Sequence, residues 1–300
     1  MTYFIQRGEV DVKPSKKITP WLFSAPALLV YVFIVIVPII WTIQLSLNSY
    51  NGIGIMEFVG LDNYTIMFKD PVFLETVKNS LFFMLVSTAV QIVIGLLLAI
   101  ILSSIGKGSN FLRVIYFIPC IISSMAISQI FRKLLSVQPA GVLAALMKLI
   151  GMEPISLLSE PKLVLLVVAL IDAYKFLGIY MIIFYSALKD IDESVVEAAA
   201  IDGCTWFKLQ TKIKIPMIKN IIVMVTVLLV SGTLKGFDIS YILTKGGPGT
   251  SSELVATYMY KTAFGATKYG LGSAMAVFLV VECLIAVFIV RKIGSRIERE

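Results

Sequence analysis

Among its 300 residues the chain has no histidine, only three cysteines, and charged side chains at just 15% of positions. Without imidazole there is no His-ligated metal centre and no His-based proton relay. Cys120, Cys204 and Cys283 show no pairing or metal-ligand spacing and read as small apolar residues. A G-x-x-x-x-G-K-[ST] phosphate loop is also missing: Gly106-Lys107 is the only Gly-Lys pair, and it lacks both the upstream glycine and the following hydroxyl. Any nucleotide chemistry must come from a partner, and no catalytic or metal-binding residue is assigned in this chain. The net charge of +7 is spread along segments that flank apolar runs, which leaves no basic patch for nucleic acid.

Apolar residues are abundant. They make up 58% of the chain, with a mean hydropathy of +0.91, outside the range of soluble domains. Charge-free runs cover residues 18–56, 79–106 and 114–131, each long enough to cross the hydrocarbon core. Three further runs, 163–188, 216–243 and 270–290, carry one to three charges each. The expectation is an all-α, polytopic membrane protein with six transmembrane helices and both termini on one side. Residues 1–17 read as an N-terminal tail, 18–292 as the membrane domain with a polar loop at 189–216, and 293–300 as a second tail. The first run is too long for a signal-peptide core and lacks a suitable cleavage site, so it reads as a retained helix. Pro26 and Pro38 within it predict kinks.

Lys and Arg near the helix ends set the orientation. Fifteen fall on the side of the termini and ten on the other, where Glu57, Asp62, Asp70 and Glu75 outnumber Lys69 and Lys78. Both termini and the 189–216 loop are therefore expected in the cytoplasm.

That loop contains EAAAIDGCTWFKLQTKIKIP at 197–216. Ala198, Ala199 and Ala200 favour helix and keep its surface low, with Glu197 as a charged anchor beside them. Gly203 permits a sharp change of direction, and Pro216 suits the first turn of a following helix. The segment resembles the EAA loop of the membrane subunits of ATP-binding-cassette importers: Glu-Ala-Ala, three residues, Gly, nine residues, Ile, any residue, Leu, Pro. Glu197, Ala198, Ala199, Gly203, Ile213 and Pro216 match. Ile215 stands where Leu is usual, and Cys204 where a small Ala is usual. Residues 58–83, 111–126, 243–264 and 269–279 are similar, in order, to the carbohydrate-uptake branch, the maltose, glycerol-3-phosphate and multiple-sugar permeases of the first kind.

The resemblance implies a type I importer permease fold in a bacterial plasma (inner) membrane, surrounded by lipid. It implies a second homologous permease, two ATP-binding-cassette ATPase subunits that bind ATP and Mg, and an extracytoplasmic sugar-binding protein. Glu197, Ala198, Ala199, Asp202, Gly203, Ile213 and Pro216 would form the ATPase-coupling element. Trp206 and Phe207 either pack that loop on the bundle or enter the ATPase.

For the substrate pathway the candidates are Asp172, Tyr174, Lys175, Tyr180, Asp238 and Tyr241, with Lys235 beside them. Asp172 and Lys175 lie three apart on one helix face and can pair, so pathway and structural roles both stay open for them. Glu282 is a lone carboxylate in the last span and reads as a contact between helices or subunits. The Gly246-Gly247-Pro248-Gly249 segment reads as a rigid turn rather than a phosphate cradle. The alternative to an importer permease is an ion-coupled secondary transporter, for which six helices, two buried acids and no visible inverted repeat are a poor fit.

Overall fold

The computed structural model describes residues 19–105 and 108–299. The tail at 1–17 and the Gly106-Lys107 pair lie outside them. The first span is α1 (Thr19–Tyr31), a π-helical turn Val32–Ile36 and α2 (Val37–Ser46). Pro38 has no N–H to donate, and the widened turn ends just ahead of it, so the irregularity sits one turn before the proline. The helix does not follow the charge-free run to residue 56. Asn48 donates to the Gln44 carbonyl (2.6 Å), and β1 (Asn48–Ser49) pairs antiparallel with β2 (Glu57–Phe58) around a Gly- and Asn-containing turn.

After α3 (Asp62–Lys69), Asp70 starts α4 (Pro71–Ser104) by accepting the Val72 N–H (2.9 Å), with Pro71 at the first helical position. The run expected to span at 114–131 is broken into α5 (Ser109–Ile121) and α6 (Ser124–Leu134), which meet at 97°. Pro119 removes an N–H from the last turn of α5, Ile122 is extended, and the Ser123 hydroxyl accepts the Ala126 N–H to restart the helix. The described residues thus hold five helices long and apolar enough to cross a membrane, and six spans only when the bent pair is taken as one.

Then follow α7 (Val142–Leu149), α8 (Val164–Lys189) and α9 (Glu193–Ile201). A one-turn α10 (Trp206–Lys208), a π-helical stretch Leu209–Lys214 and α11 (Ile215–Met217) lead to α12 (Lys219–Leu234). The chain breaks again before α13 (Asp238–Thr244), then continues through α14 (Val255–Tyr260) and a π turn Lys261–Gly265 to α15 (Tyr269–Arg299). α15 does not stop near Val290 but runs on through the residues read as a tail.

The centre is α4 packed lengthwise on α8, with α5 against α8, α12 against α4 and α15, and α15 against α2. α5 approaches closely because Gly178 on α8 has no Cβ: one there would strike the Tyr116 carbonyl and the Phe117 Cα. Three buried clusters fill the bundle. One surrounds Phe83, Val168 and Leu243, one surrounds Leu102, Phe184 and Leu229 toward the α9 end, and one lies under α3 and α14 around Met67, Phe73 and Met275. Large apolar side chains also face outward, Phe23, Phe33, Leu85 and Phe288 among them, as suits a protein solvated by lipid.

Candidate functional site

The two helix breaks face each other. Ser124, the first residue of α6, and the α12–α13 break at Lys235, Gly236 and Phe237 line one cavity of about 270 Å3, closed by Gln91 of α4, Asp172, Phe176 and Tyr180 of α8, and Asp238. Irregular backbone at membrane depth needs such a polar lining or surrounding protein to satisfy its free N–H and C=O groups.

Lys175 does not pair with Asp172, and no ion pair joins them among the described residues. The Lys175 ammonium turns to the Ser124 hydroxyl (2.5 Å), which itself donates to Asp238 Oδ2 (3.2 Å), so that α8, α6 and α13 are joined in series. Geometry explains the failed pairing: α6 restarts beside α8 and offers a closer acceptor than a carboxylate on the lysine's own helix. Asp172 is 7% exposed and faces the cavity. Among the sequence candidates, the structure brings Asp172, Tyr180 and Asp238 to the cavity wall, with Lys175 behind Ser124.

Tyr174 and Tyr241 are not there. Tyr174 is 47% exposed and meets Phe131 edge-on (5.5 Å), because it lies on the outer side of α8. Tyr241 stacks on Phe237 (5.0 Å) and meets Tyr260 edge-on (5.3 Å), bracing the start of α13 rather than facing the cavity.

Gln91 escaped the sequence reading. It is fully buried, lines the cavity, and has no hydrogen-bond partner among the described residues for either Nε2 or Oε1. The available signal was spacing: Gln91 lies at helical intervals from Ser87, which bonds to Ala169 of α8, and from Gly95 and Ala99, which pack against Met181 and Phe184 of α8.

At the end of the bundle opposite α9, the glycine-rich segment is a tied turn. Asn79 donates to the carbonyls of Thr250 (3.0 Å) and Glu253 (3.1 Å), and the Thr250 hydroxyl donates to Glu75 (2.7 Å). Glu253 is buried against Lys261, which also donates to the Lys245 carbonyl (2.7 Å). Beside it, Tyr258 donates to Asp70 Oδ2 (2.5 Å), and burial together with that bond pushes the phenol above its ordinary range.

At the other end Asp192 caps α9, accepting the Ser194 N–H (2.9 Å), which holds its carboxyl below the usual carboxylate range. Ala199 is buried, while Glu197, Ala198, Asp202 and Gly203 are exposed; Gly203 takes φ +70. Ile213 is half-buried in the π-helical stretch, and Pro216 opens α11. Trp206 donates to the Ser104 hydroxyl (3.3 Å), tying this loop to α4, whereas Ile201 (87% exposed) and Phe207 project into open space. Burial and the neighbouring Lys189 push the Lys214 ammonium down.

Glu282 lies in a separate apolar crevice between α4, α12 and α15, and neither carboxylate oxygen has a partner among the described residues.

The chain is 33% identical over 250 residues to the lactose transport system permease protein LacF of Rhizobium radiobacter, covering 81% of this chain and 83% of that protein. It is 28% identical to the arabinooligosaccharides transport system permease protein AraP of Bacillus subtilis, over 98% of this chain and 94% of the relative. A chain in the crystal structure of a bacterial alginate ABC transporter, in complex with an alginate pentasaccharide-bound periplasmic protein, superposes with a TM-score of 0.82 at 22% identity, covering 93% of this chain and 95% of that one. The family model described as the binding-protein-dependent transport system inner membrane component matches residues 91–299, and the chain belongs to that family.

Proposed function

We propose that this chain is the permease subunit of an ATP-driven sugar importer, and that the cavity between the two helix breaks is part of its pathway. The carrying observation is that cavity: carboxylates, an amide and a hydroxyl beside Phe176, Tyr180 and Phe237, which is the mixture of acceptors, donors and aromatic faces that carbohydrates need. Relatives named for lactose and arabinooligosaccharides support the substrate class. A second, homologous permease encloses the rest of the pathway, and an extracytoplasmic binding protein delivers sugar at the end opposite α9. Two ATPase subunits hold ATP and Mg, since this chain offers no phosphate loop.

α9 is the coupling element. It is short, capped by Asp192, held from both flanks by α8 and the α10–α12 segment, and it exposes Glu197, Ala198, Asp202, Gly203 and Ile201 toward a partner's groove. On this reading both termini and α9 lie in the cytoplasm of a bacterial cell. An ion-coupled transporter has no support from the family match.

The test is purification in mild detergent, identification of co-purifying chains by mass spectrometry, and sugar-stimulated ATP hydrolysis in nanodiscs. A second permease, an ATPase and stimulation by a sugar with its binding protein are expected. Glu197→Ala combined with Gly203→Val should abolish the stimulation while the subunit stays in the membrane. Uptake driven by an ion gradient without an ATPase would replace this reading.

A further inference from the structure

We propose that Gln91 sets the specificity of the cavity by reading two adjacent hydroxyl groups on the transported ring. This rests on the importer reading above and adds the residue that discriminates. The Gln91 side chain is fully buried, lines the cavity, and leaves both its amide oxygen and its amide nitrogen without a partner. One turn away on the same helix the buried Ser87 hydroxyl donates to the Ala169 carbonyl, whereas Thr88, which lines the separate apolar crevice of Glu282, also has no partner among the described residues. A buried amide with neither group satisfied is costly and calls for an explanation, which a ligand supplying the missing bonds provides.

The ligand's chemistry follows from the amide's. A carboxamide presents one acceptor and one donor side by side. Two neighbouring ring hydroxyls match that pair: one donates to Oε1 and the other accepts from Nε2. A simple ion or a hydrocarbon would satisfy at most half of it. Asp172 and Asp238 add acceptors for further hydroxyls, and Phe176 and Phe237 add apolar surface. At about 270 Å3 the cavity lies at the low end of small-molecule sites, which suits one ring at a time.

The experiment uses the complete reconstituted transporter. Initial uptake is measured across a panel of mono-, di- and oligosaccharides that includes lactose, maltose and arabinobiose, then for the single-deoxy analogues of the sugar taken up best. In the unaltered complex, removing either of two adjacent hydroxyls should raise KM roughly 10- to 100-fold. Gln91→Leu should raise KM for the parent sugar by a similar factor and erase the penalty for those two analogues. If Gln91→Leu keeps both the KM and the analogue ranking, the inference is wrong and the importer reading stands. If the unaltered complex carries its ATPase yet takes up no sugar in the panel, the importer reading falls and this inference with it. Should the leucine variant fail to assemble, Gln91→Asn decides: it withdraws the amide by one methylene, and an unchanged ranking overturns the proposal, whereas a ranking compressed by about threefold or more supports it.

Discussion

The Ser124 hydroxyl donates to the Asp238 carboxylate at 3.2 Å, and each residue is the first of a helix that restarts within an apolar run. Further along the same pair of helices, Arg132 donates to the carbonyls of Ile242 and Leu243 at the end of α13. α6 and α13 are therefore clasped at both ends and behave as one unit at the cavity mouth.

Breaking that contact should reveal coupling. In a cycle of Ser124→Ala, Asp238→Ala and the double variant, the interaction energy from thermal unfolding in detergent is expected at about 0.5–3 kcal/mol. Effects that simply add would show that the Ser124–Asp238 bond does not help to hold the two helices together.

Gly178→Val should destabilise the protein by about 1–3 kcal/mol, because its Cβ meets the backbone of α5 at Tyr116 and Phe117. Gly232→Ala on α12 is the contrast: no atom lies within 4 Å of its added Cβ, and the helix gains about 0.5–1 kcal/mol. Unfolding midpoints of the two variants should move in opposite directions.

Glu282→Leu is expected to raise the stability of the isolated subunit by about 1–3 kcal/mol, since both carboxylate oxygens lack a partner in an apolar crevice. A fall in the midpoint would mean that the carboxylate contributes stability within the single chain.

Tyr258 carries a pH dependence whose sign follows from its raised phenol. The folded state holds the proton more tightly than the unfolded chain, so the contribution is complete below the unfolded value of 10.0 and fades as pH rises toward the folded one. Tyr258→Phe should lose about 1 kcal/mol at neutral pH and show a flatter alkaline stability curve than the unaltered protein. Identical alkaline curves would rule out a role for the Tyr258–Asp70 bond.

The turn at Gly203 was legible because positive φ is a local demand, whereas α4 starts at Asp70-Pro71, eight residues ahead of the charge-free run at 79–106, because its cap and not its apolar pattern sets the boundary. Asp172 and Asp238 were legible as acids too expensive to leave in an apolar run. Tyr174 and Tyr241 were misplaced because an aromatic in a span has no local mark of which side it faces; Phe131 and Phe237 supply that, and both contacts form only on folding. Gln91 was overlooked because a single amide in a long apolar run changes hydropathy little, while its importance comes from lining the same cavity as Asp172.

Composition and run length decided that this chain lives in lipid, since hydrocarbon accepts backbone only as helix and accepts charge only sparingly. The order Glu197-Ala198-Ala199 to Gly203 to Pro216 decided that a short exposed helix would follow α8, since each of these residues acts on its own turn of backbone. Tertiary structure decided everything about the cavity. Whether Lys175 bonds to Asp172 or Ser124, and whether two broken helices meet or lie apart, depends on how α4, α6, α8 and α13 pack, and those contacts join residues 51 and 114 positions apart in the chain.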